Sequence, residues 1–114
     1  DSHNIIVVGD DKEAMAAAVQ ELKRIGGGMT LVHGGKTLSV PLDIAGLMSS
    51  APAEKHVKLS AELYKAAYDA GVNRGIEAFM TLSFLGLAVI PELRLTDKGL
   101  FDVNAFSFTS VDAE

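Results

Sequence analysis

The stretch Met29-Thr30-Leu31-Val32-His33-Gly34-Gly35-Lys36-Thr37-Leu38-Ser39-Val40 decides the fold, because it predicts a β-hairpin with a fixed register. Gly34-Gly35 forms a two-residue turn between two strand-like runs. The cross-strand pairs set by this turn are Met29–Val40, Thr30–Ser39, Leu31–Leu38 and Val32–Thr37. Two pairs make an apolar face and two make a mixed face, which is typical of an antiparallel sheet solvated on one side. Pro41 ends the second strand because proline cannot donate to the ladder.

Helical periodicity on both sides of the hairpin predicts two helices. Asp10 or Asp11 caps the first helix, and Gly26-Gly27-Gly28 ends it. The second helix spans Pro52–Ala70 and stops at Gly71. The apolar face of the first helix consists of Met15, Ala18, Val19, Leu22 and Ile25. That spacing predicts an amphipathic helix with one apolar face.

The second helix carries two apolar stripes, which indicates a helix held between two layers or between subunits. One stripe is Leu59, Leu63, Ala66 and Ala70, and the other is Val57, Ala61, Tyr64 and Tyr68. We expect the aliphatic stripe, and Leu63 in particular, to pack on the sheet. We expect Tyr64 and Tyr68 to contact a second layer or something outside this chain, because tyrosine suits surfaces that are part buried and part wet.

The remaining segments are shorter. The sequence predicts a strand at Asn4–Gly9 and a helical turn at Ile44–Met48 capped by Asp43. It predicts another strand at the start of Phe79–Ile90. A hairpin around the three-residue turn Asp97-Lys98-Gly99 and a last strand containing Phe106 and Phe108 follow. Helices interspersed with hairpins predict the α+β class, with one mainly antiparallel sheet and helices packed on a face. We expect residues 1–114 to form a single domain.

Composition excludes several classes of function. The chain has 114 residues, a net charge of -5 and no cysteine. Ten basic residues are scattered among fifteen acidic ones, so no basic stripe is present for nucleic acid or an anionic membrane. The longest apolar run is too short to span a bilayer. The absence of cysteine excludes a disulfide scaffold and thiolate chemistry, and it is compatible with a cytoplasmic protein.

The opening block is the candidate site. Asp1, Ser2, His3 and Asn4 are polar, and they stand at the mouth of the apolar run that begins at Ile5. On a strand Asp1 and His3 would share a face. His3 is the candidate catalytic residue, because imidazole titrates near neutral pH. The simpler interpretation is a polar strand end, which is common at strand termini. The block has no leader before it, so the chain resembles a piece of something longer.

The other polar residues have structural interpretations. His33 lies at the hairpin tip and His56 in the first turns of a helix, both interpreted as surface positions. Neither has a partner at metal-ligand spacing, so we expect no metal site in this chain. Asp10, Asp11, Asp43, Glu54 and Asp97 are interpreted as caps and surface charge.

Five segments in order resemble one family. They are Asp1–Gly9 (DSHNIIVVG), Arg24–Met29 (RIGGGM), Pro41–Ser49 (PLDIAGLMS), Phe79–Leu85 (FMTLSFL) and Val89–Leu100 (VIPELRLTDKGL). Together they are similar to the C-terminal domain of the adenine deaminases, which are metal-dependent amidohydrolases. The resemblance covers nearly the whole chain, although the family's domain starts upstream of Asp1 and a histidine normally precedes that residue. It implies a partial, N-terminally truncated accessory domain.

The resemblance also implies an activity and partners. The intact enzyme would convert adenine and water to hypoxanthine and ammonia in purine salvage, using a divalent metal, manganese or iron, bound outside this chain. The metal ligands would lie on an upstream (β/α) barrel, and this chain alone would be inactive. Asp1, Ser2, His3 and Asn4 would help to enclose the purine or support a metal ligand, and a structural tie to the barrel is the alternative. A cytoplasmic homo-oligomer is expected.

A second hypothesis belongs to a different class of function. The chain would then be a stand-alone α+β domain that binds a small molecule or mediates assembly without catalysis. A stand-alone domain should cover its own apolar faces and sheet edges, whereas part of a larger enzyme should leave some of them bare.

Overall fold

A computed structural model describes residues 4–112, which form helices and two small antiparallel sheets. The elements run in the order α1 (Lys12–Ile25), β1 (Gly28–His33), β2 (Lys36–Pro41), α2 (Ala53–Asp69), α3 (Met80–Ser83), β3 (Leu93–Thr96), β4 (Gly99–Asp102) and β5 (Ser107–Phe108). The α+β, mainly antiparallel class is therefore confirmed. One sheet is the β1–β2 hairpin, and the other has the order β3-β4-β5, so the single sheet expected from the sequence is wrong.

The first hairpin has the predicted register. Met29 pairs with Val40, Thr30 with Ser39, Leu31 with Leu38 and Val32 with Thr37. Gly34 and Gly35 adopt φ values of 56° and 71°. A two-residue turn with positive φ at both positions matches the twist of the flanking strands and sets this register.

Helices lie on both faces of this hairpin. On the mixed face, the Ser39 hydroxyl donates to Glu21 Oε1 of α1 at 2.8 Å. On the apolar face, Leu31 and Leu38 line a cleft with Ala66 of α2. The expectation of a solvated mixed face holds only in part, because Thr37 is exposed whereas Thr30 and Ser39 are half-buried. The Thr30 and Ser39 hydroxyls hydrogen-bond to each other, and Ser39 also bonds to Glu21. Such hydrogen bonds offset the cost of removing the hydroxyls from water.

α1 begins and ends as its terminal residues predict. Asp11 is the N-cap, and its Oδ1 accepts from the backbone N–H groups of Glu13 (2.8 Å) and Ala14 (3.0 Å). These bonds satisfy two of the donors that a helix start leaves free. Gly26 is the C-cap with φ 78°, a left-handed conformation that glycine adopts without strain.

α2 supplies the most buried side chain of the helical layers. Leu63 is 1% exposed, and Val40 on β2 is 0% exposed. α2 packs against both β2 and β1, so the expectation that Leu63 belongs to the face on the sheet is confirmed. Pro52 occupies the N-cap with φ -53° and ψ 139°. The sequence interpretation placed Pro52 one position later, as the first residue of the helix.

The two tyrosines of the second stripe of α2 are partly covered by the chain itself, whereas Val57 and Ala61 of the same stripe are exposed. Tyr64 and Tyr68 are half-buried, with ring centroids 6.5 Å apart. The Tyr68 hydroxyl donates to the Ile76 carbonyl at 3.0 Å, and the Arg74 guanidinium lies 5.7 Å from the Tyr68 ring centroid. Burial raises the pKa of Tyr64, and a hydrogen bond to the Glu77 carboxylate adds to this rise. The second layer over these rings is therefore the segment after Gly71.

The described residues fall into two compact units. One is Val7–Ala78, which contains α1, the first hairpin and α2. The other consists of residues 4–6 and 79–112, with α3 and the sheet β3-β4-β5. Every side chain classed as buried among the described residues belongs to the first unit: Ala18, Val40, Leu63 and Ala67.

Four local expectations are wrong. Residues 4–9 form no strand, because no neighbouring strand among the described residues pairs with them. Ile44–Met48 is a bridged turn instead of a helix. Phe79–Ile90 starts with the short helix α3 instead of a strand. The turn between β3 and β4 has two residues instead of three, since Thr96 pairs with Gly99. Short apolar runs do not distinguish strand from buried helix by periodicity alone.

The helices of the described part of the chain are also too short or too polar to be membrane spans.

Candidate functional site

The opening block lies almost wholly outside the described residues. Asp1, Ser2 and His3 belong to the part that the structure does not describe, and Asn4 is exposed in an irregular segment. Neither the geometry of this block nor the role of His3 is therefore tested. The strand proposed to position the block is not formed at residues 4–9, so only the sequence supports this site.

A second candidate emerges from the loop between β2 and α2. A cleft of about 340 Å³ opens there, and its lining residues are Leu42, Leu47, Met48, Ser49, Ala51, Ala53 and His56. His56 is half-buried at this cleft, whereas the sequence places it at the surface. Five of the seven lining residues are apolar, and Ser49 and His56 add a hydroxyl and an imidazole, so polar and apolar surface contribute about equally to this open cleft.

Asp43 and Ser50 close the base of this loop. Asp43 Oδ1 accepts from the Ser50 backbone N–H at 2.9 Å, and Asp43 Oδ2 accepts from the Ser50 hydroxyl. These two hydrogen bonds from Ser50, the hydroxyl first, lower the pKa of the Asp43 carboxyl. The predicted helix-capping role of Asp43 is wrong, because the carboxylate caps a loop and no helix follows it.

A smaller cleft of about 230 Å³ lies between the first hairpin and α2. Its rim carries His33, Lys36 and Asp69, and its floor is apolar. His33 is exposed, as predicted. The Lys65 ammonium donates to Asp69 at 2.6 Å, and this bond lowers the pKa of Asp69. Asp69 is also 3.5 Å from the Arg74 guanidinium, so its charge is already balanced within α2 and the following segment.

A large electrostatic perturbation of a carboxylate lies at the junction of α1 and the hairpin. Glu21 accepts from Arg24 at 2.7 and 2.8 Å, and from the Ser39 hydroxyl at 2.8 Å. The Arg24 bonds first, and the Ser39 bond second, lower the pKa of Glu21 to about 2. Sequence reasoning missed this cluster, although Glu21 and Arg24 stand three residues apart on a helix, a spacing that favours ion pairs. Its role is to join layers of the fold.

Metal-ligating side chains do not converge within residues 4–112: no group of three or more His, Cys, Asp or Glu residues there could hold an ion. The described residues therefore do not fit a catalytic divalent metal, which needs about three protein ligands. We assign no chemical step through a metal to this part of the chain.

Comparison with known proteins places this α+β chain in a family. The family model described as the adenine deaminase C-terminal domain matches residues 1–107. This chain belongs to that family. The resemblance inferred from five sequence segments is thereby confirmed.

Individual relatives carry consistent names. A protein named adenine deaminase from Nitratidesulfovibrio vulgaris (strain DP4) is 55% identical over 113 residues, which cover 97% of this chain and 20% of the relative. Adenine deaminase 2 from Carboxydothermus hydrogenoformans is 50% identical, with 97% and 20% covered. The adenine deaminase of Bacillus subtilis (strain 168) is 47% identical, with 97% and 19% covered. The chain thus spans about a fifth of the length of these relatives.

Proposed function

We propose that this chain acts as the C-terminal accessory part of an adenine deaminase, which converts adenine and water to hypoxanthine and ammonia. The observation that carries the proposal is the family match over residues 1–107. Relatives named adenine deaminase, about half identical over nearly the whole chain, support it further. The intact protein would then be a hydrolase of purine salvage.

The chemistry divides between this chain and the rest of the protein. A divalent metal, manganese or iron, would be bound outside this chain by an upstream barrel, and it would supply an activated water. The family resemblance implies this location, and residues 4–112 contain no convergent ligand set of their own. This chain would contribute enclosure and hydrogen bonds to the purine, or support for a metal ligand.

The opening block is the part of the chain that we assign to the active site. Asp1, Ser2, His3 and Asn4 offer acceptors and donors that match the ring nitrogens and the amino group of adenine. His3 can also hold or accept a proton near neutral pH. Asn4 is exposed, so its amide is accessible to a ligand.

Substitution of His3 in the full-length enzyme tests this assignment. We expect His3→Ala to lower kcat/KM for adenine by roughly tenfold or more, as the loss of a supporting group in a metal site typically does. The matched control is His33→Ala, because His33 is exposed at the end of β1. It should leave kcat/KM within about twofold of the wild type. Equal kcat/KM values for the two variants would place His3 in a purely structural role.

The alternative is a stand-alone α+β domain that binds a small molecule or mediates assembly. The cleft beside His56 is the feature that favours this alternative, because an imidazole and a hydroxyl there adjoin apolar side chains. A full-length protein that binds adenine without releasing ammonia would support the alternative. We further propose a cytoplasmic location, since a chain without cysteine suits a reducing compartment, and a homo-oligomer, as the family resemblance implies.

A further inference from the structure

The loop formed by residues 43–50, here called the 43–50 loop, is held in one conformation. Its base is closed by the two hydrogen bonds from Ser50 to Asp43. Its tip is closed by a backbone bridge, in which Ile44 N–H donates to the Met48 carbonyl at 2.9 Å and Met48 N–H donates to the Ile44 carbonyl at 3.1 Å. An eight-residue loop with both ends tied loses little further conformational entropy when it binds a partner.

The loop is also fixed to the rest of its unit. Leu42 N–H donates to the Gly27 carbonyl at 3.1 Å. Gly46 lies against Gly27 so closely that a Cβ on Gly27 would stand 2.7 Å from the Gly46 Cα. Backbone-on-backbone packing of this kind permits few alternative positions for the loop.

This fixed conformation presents apolar side chains to solvent. Ile44, Leu47 and Met48 are 44%, 42% and 58% exposed. Ala45 adopts φ 57°, a left-handed conformation that costs a residue with a Cβ about 1–2 kcal/mol. Neither the strain nor the exposure stabilises this chain by itself. Both are explained if the loop is a preformed contact that becomes buried in a larger protein.

We propose that the 43–50 loop docks on the N-terminal remainder of the full-length protein, an inference that rests on the proposed function. Length supports this partner, because the relatives are about five times as long as this chain, which spans 20% of them. The composition of the loop supports a protein contact, since residues 44–53 (IAGLMSSAPA) carry no charged side chain. Uncharged, methionine-containing patches are typical of the centre of protein interfaces.

Site-specific photo-crosslinking in the full-length protein tests the docking. Leu47→p-benzoylphenylalanine places a photoreactive ketone at the loop tip. The matched control is Ile76→p-benzoylphenylalanine, because Ile76 is 47% exposed, about as much as Leu47. Ile76 is also remote from the loop: it lies beside Tyr68, and Tyr68 is about three helical turns along α2 from His56. After irradiation, crosslinked peptides are identified by mass spectrometry, and crosslinked dimers are separated by denaturing electrophoresis.

We expect intramolecular crosslinks from position 47 to residues N-terminal of this chain, in a yield roughly fivefold or more above that from position 76. Met48→p-benzoylphenylalanine should reach the same peptides, which guards against a local disturbance at position 47. Crosslinked dimers would overturn the proposal in favour of a second copy. Equal yields at positions 47 and 76, or no crosslinks, would overturn it outright.

Adenine deamination is measured on the unmodified full-length protein in parallel. An active enzyme without loop crosslinks refutes the docking alone. An inactive protein with the expected crosslinks refutes the proposed function but supports the docking.

Discussion

Glu21 joins α1 to the first hairpin through a side-chain hydrogen bond. Its carboxylate accepts hydrogen bonds from Arg24 on the same helix and from Ser39 on β2. Because both bonds favour the ionised form, the pKa of Glu21 falls from its ordinary value of 4.5 to about 2. Such a shift makes the free energy of unfolding depend on pH.

The sign of this dependence follows from the lowered pKa. Glu21 contributes stability that is present above pH 4.5 and is lost as the pH falls towards 2, because the unfolded state takes up the proton first. We expect the urea midpoint of the wild type to fall more steeply over this range than that of Glu21→Gln. Ser39→Ala, which removes one donor, should give an intermediate slope. Identical slopes for wild type and Glu21→Gln would contradict the assignment.

Leu63 tests the packing of α2 on the hairpin. Its side chain is 1% exposed, so truncation leaves a cavity that the surrounding backbone fills only in part. We expect Leu63→Ala to lower the free energy of unfolding by ~2–5 kcal/mol, measured by urea denaturation followed by circular dichroism. Val57→Ala is the control, since Val57 is 65% exposed on the same helix, and its effect should stay within about 0.5 kcal/mol.

At the scale of elements, the start of α1 depends on one carboxylate. Asp11 accepts from two backbone N–H groups of the first turn. We therefore expect Asp11→Ala to lower the free energy of unfolding by about 1 kcal/mol, the usual cost of losing an N-cap. Asp10→Ala should have little effect, because Asp10 lies outside the helix and is exposed. Thermal unfolding of both variants distinguishes the two, and a larger effect at Asp10 would contradict the observed cap.

Elements defined by local chemistry were predictable from the sequence. Gly34-Gly35 sets the register of β1 and β2 through turn geometry alone, and Asp11 and Gly26 mark the ends of α1. The turn at 44–48 was not predictable in the same way. Its left-handed conformation is divided between Ala45 and Gly46, and alanine usually signals a helix.

Elements that depend on distant partners were predicted less well. Residues 4–9 have the β-branched composition of a strand but no partner strand among the described residues. The mixed face of the hairpin was expected to be solvated, because nothing local indicates that Glu21 approaches Ser39 from eighteen residues away. Tertiary context therefore decided both outcomes against local preference.

At the scale of the whole molecule, the two units differ in how many apolar side chains they bury. The unit Val7–Ala78 contains all four buried side chains of the described residues. Both units also expose apolar side chains: Leu93, Leu95 and Phe108 in the second unit are half or more exposed, as are Val8 and Met48 in the first. Exposed apolar faces of this kind mark contact surfaces. They agree with an accessory domain of a larger enzyme better than with a self-sufficient domain.

The chain on its own is expected to be catalytically inactive. We predict that the purified chain releases no ammonia from adenine, with or without added Fe²⁺, Mn²⁺ or Zn²⁺, because the catalytic metal would be bound elsewhere in the protein. The full-length enzyme is the positive control, and circular dichroism verifies that the isolated chain is folded. Metal-stimulated ammonia release by the folded chain would refute the proposal that the catalytic metal is bound outside this chain.

The candidate site was predictable only in part. The opening block was chosen because its polar residues adjoin an apolar run, yet Asp1, Ser2 and His3 lie outside the described residues. The 43–50 loop and the cleft beside His56 were missed. Their signal lies in contacts between residues that are far apart in the sequence, such as Gly27 with Gly46, and periodicity carries no information on such contacts.

The glycines around the first hairpin differ in the substitutions that they can accept during evolution. At Gly34 and Gly35 an added Cβ would meet no atom within 4 Å, so only backbone conformation restricts the choice, and asparagine or aspartate can replace glycine there. At Gly27 and Gly28 an added Cβ would collide with the backbone of Gly46 and of Val40. Sequence drift can therefore replace the turn glycines by residues that tolerate positive φ, while the base of the hairpin stays restricted to glycine, Gly27 by Gly46 and Gly28 by the neighbouring strand.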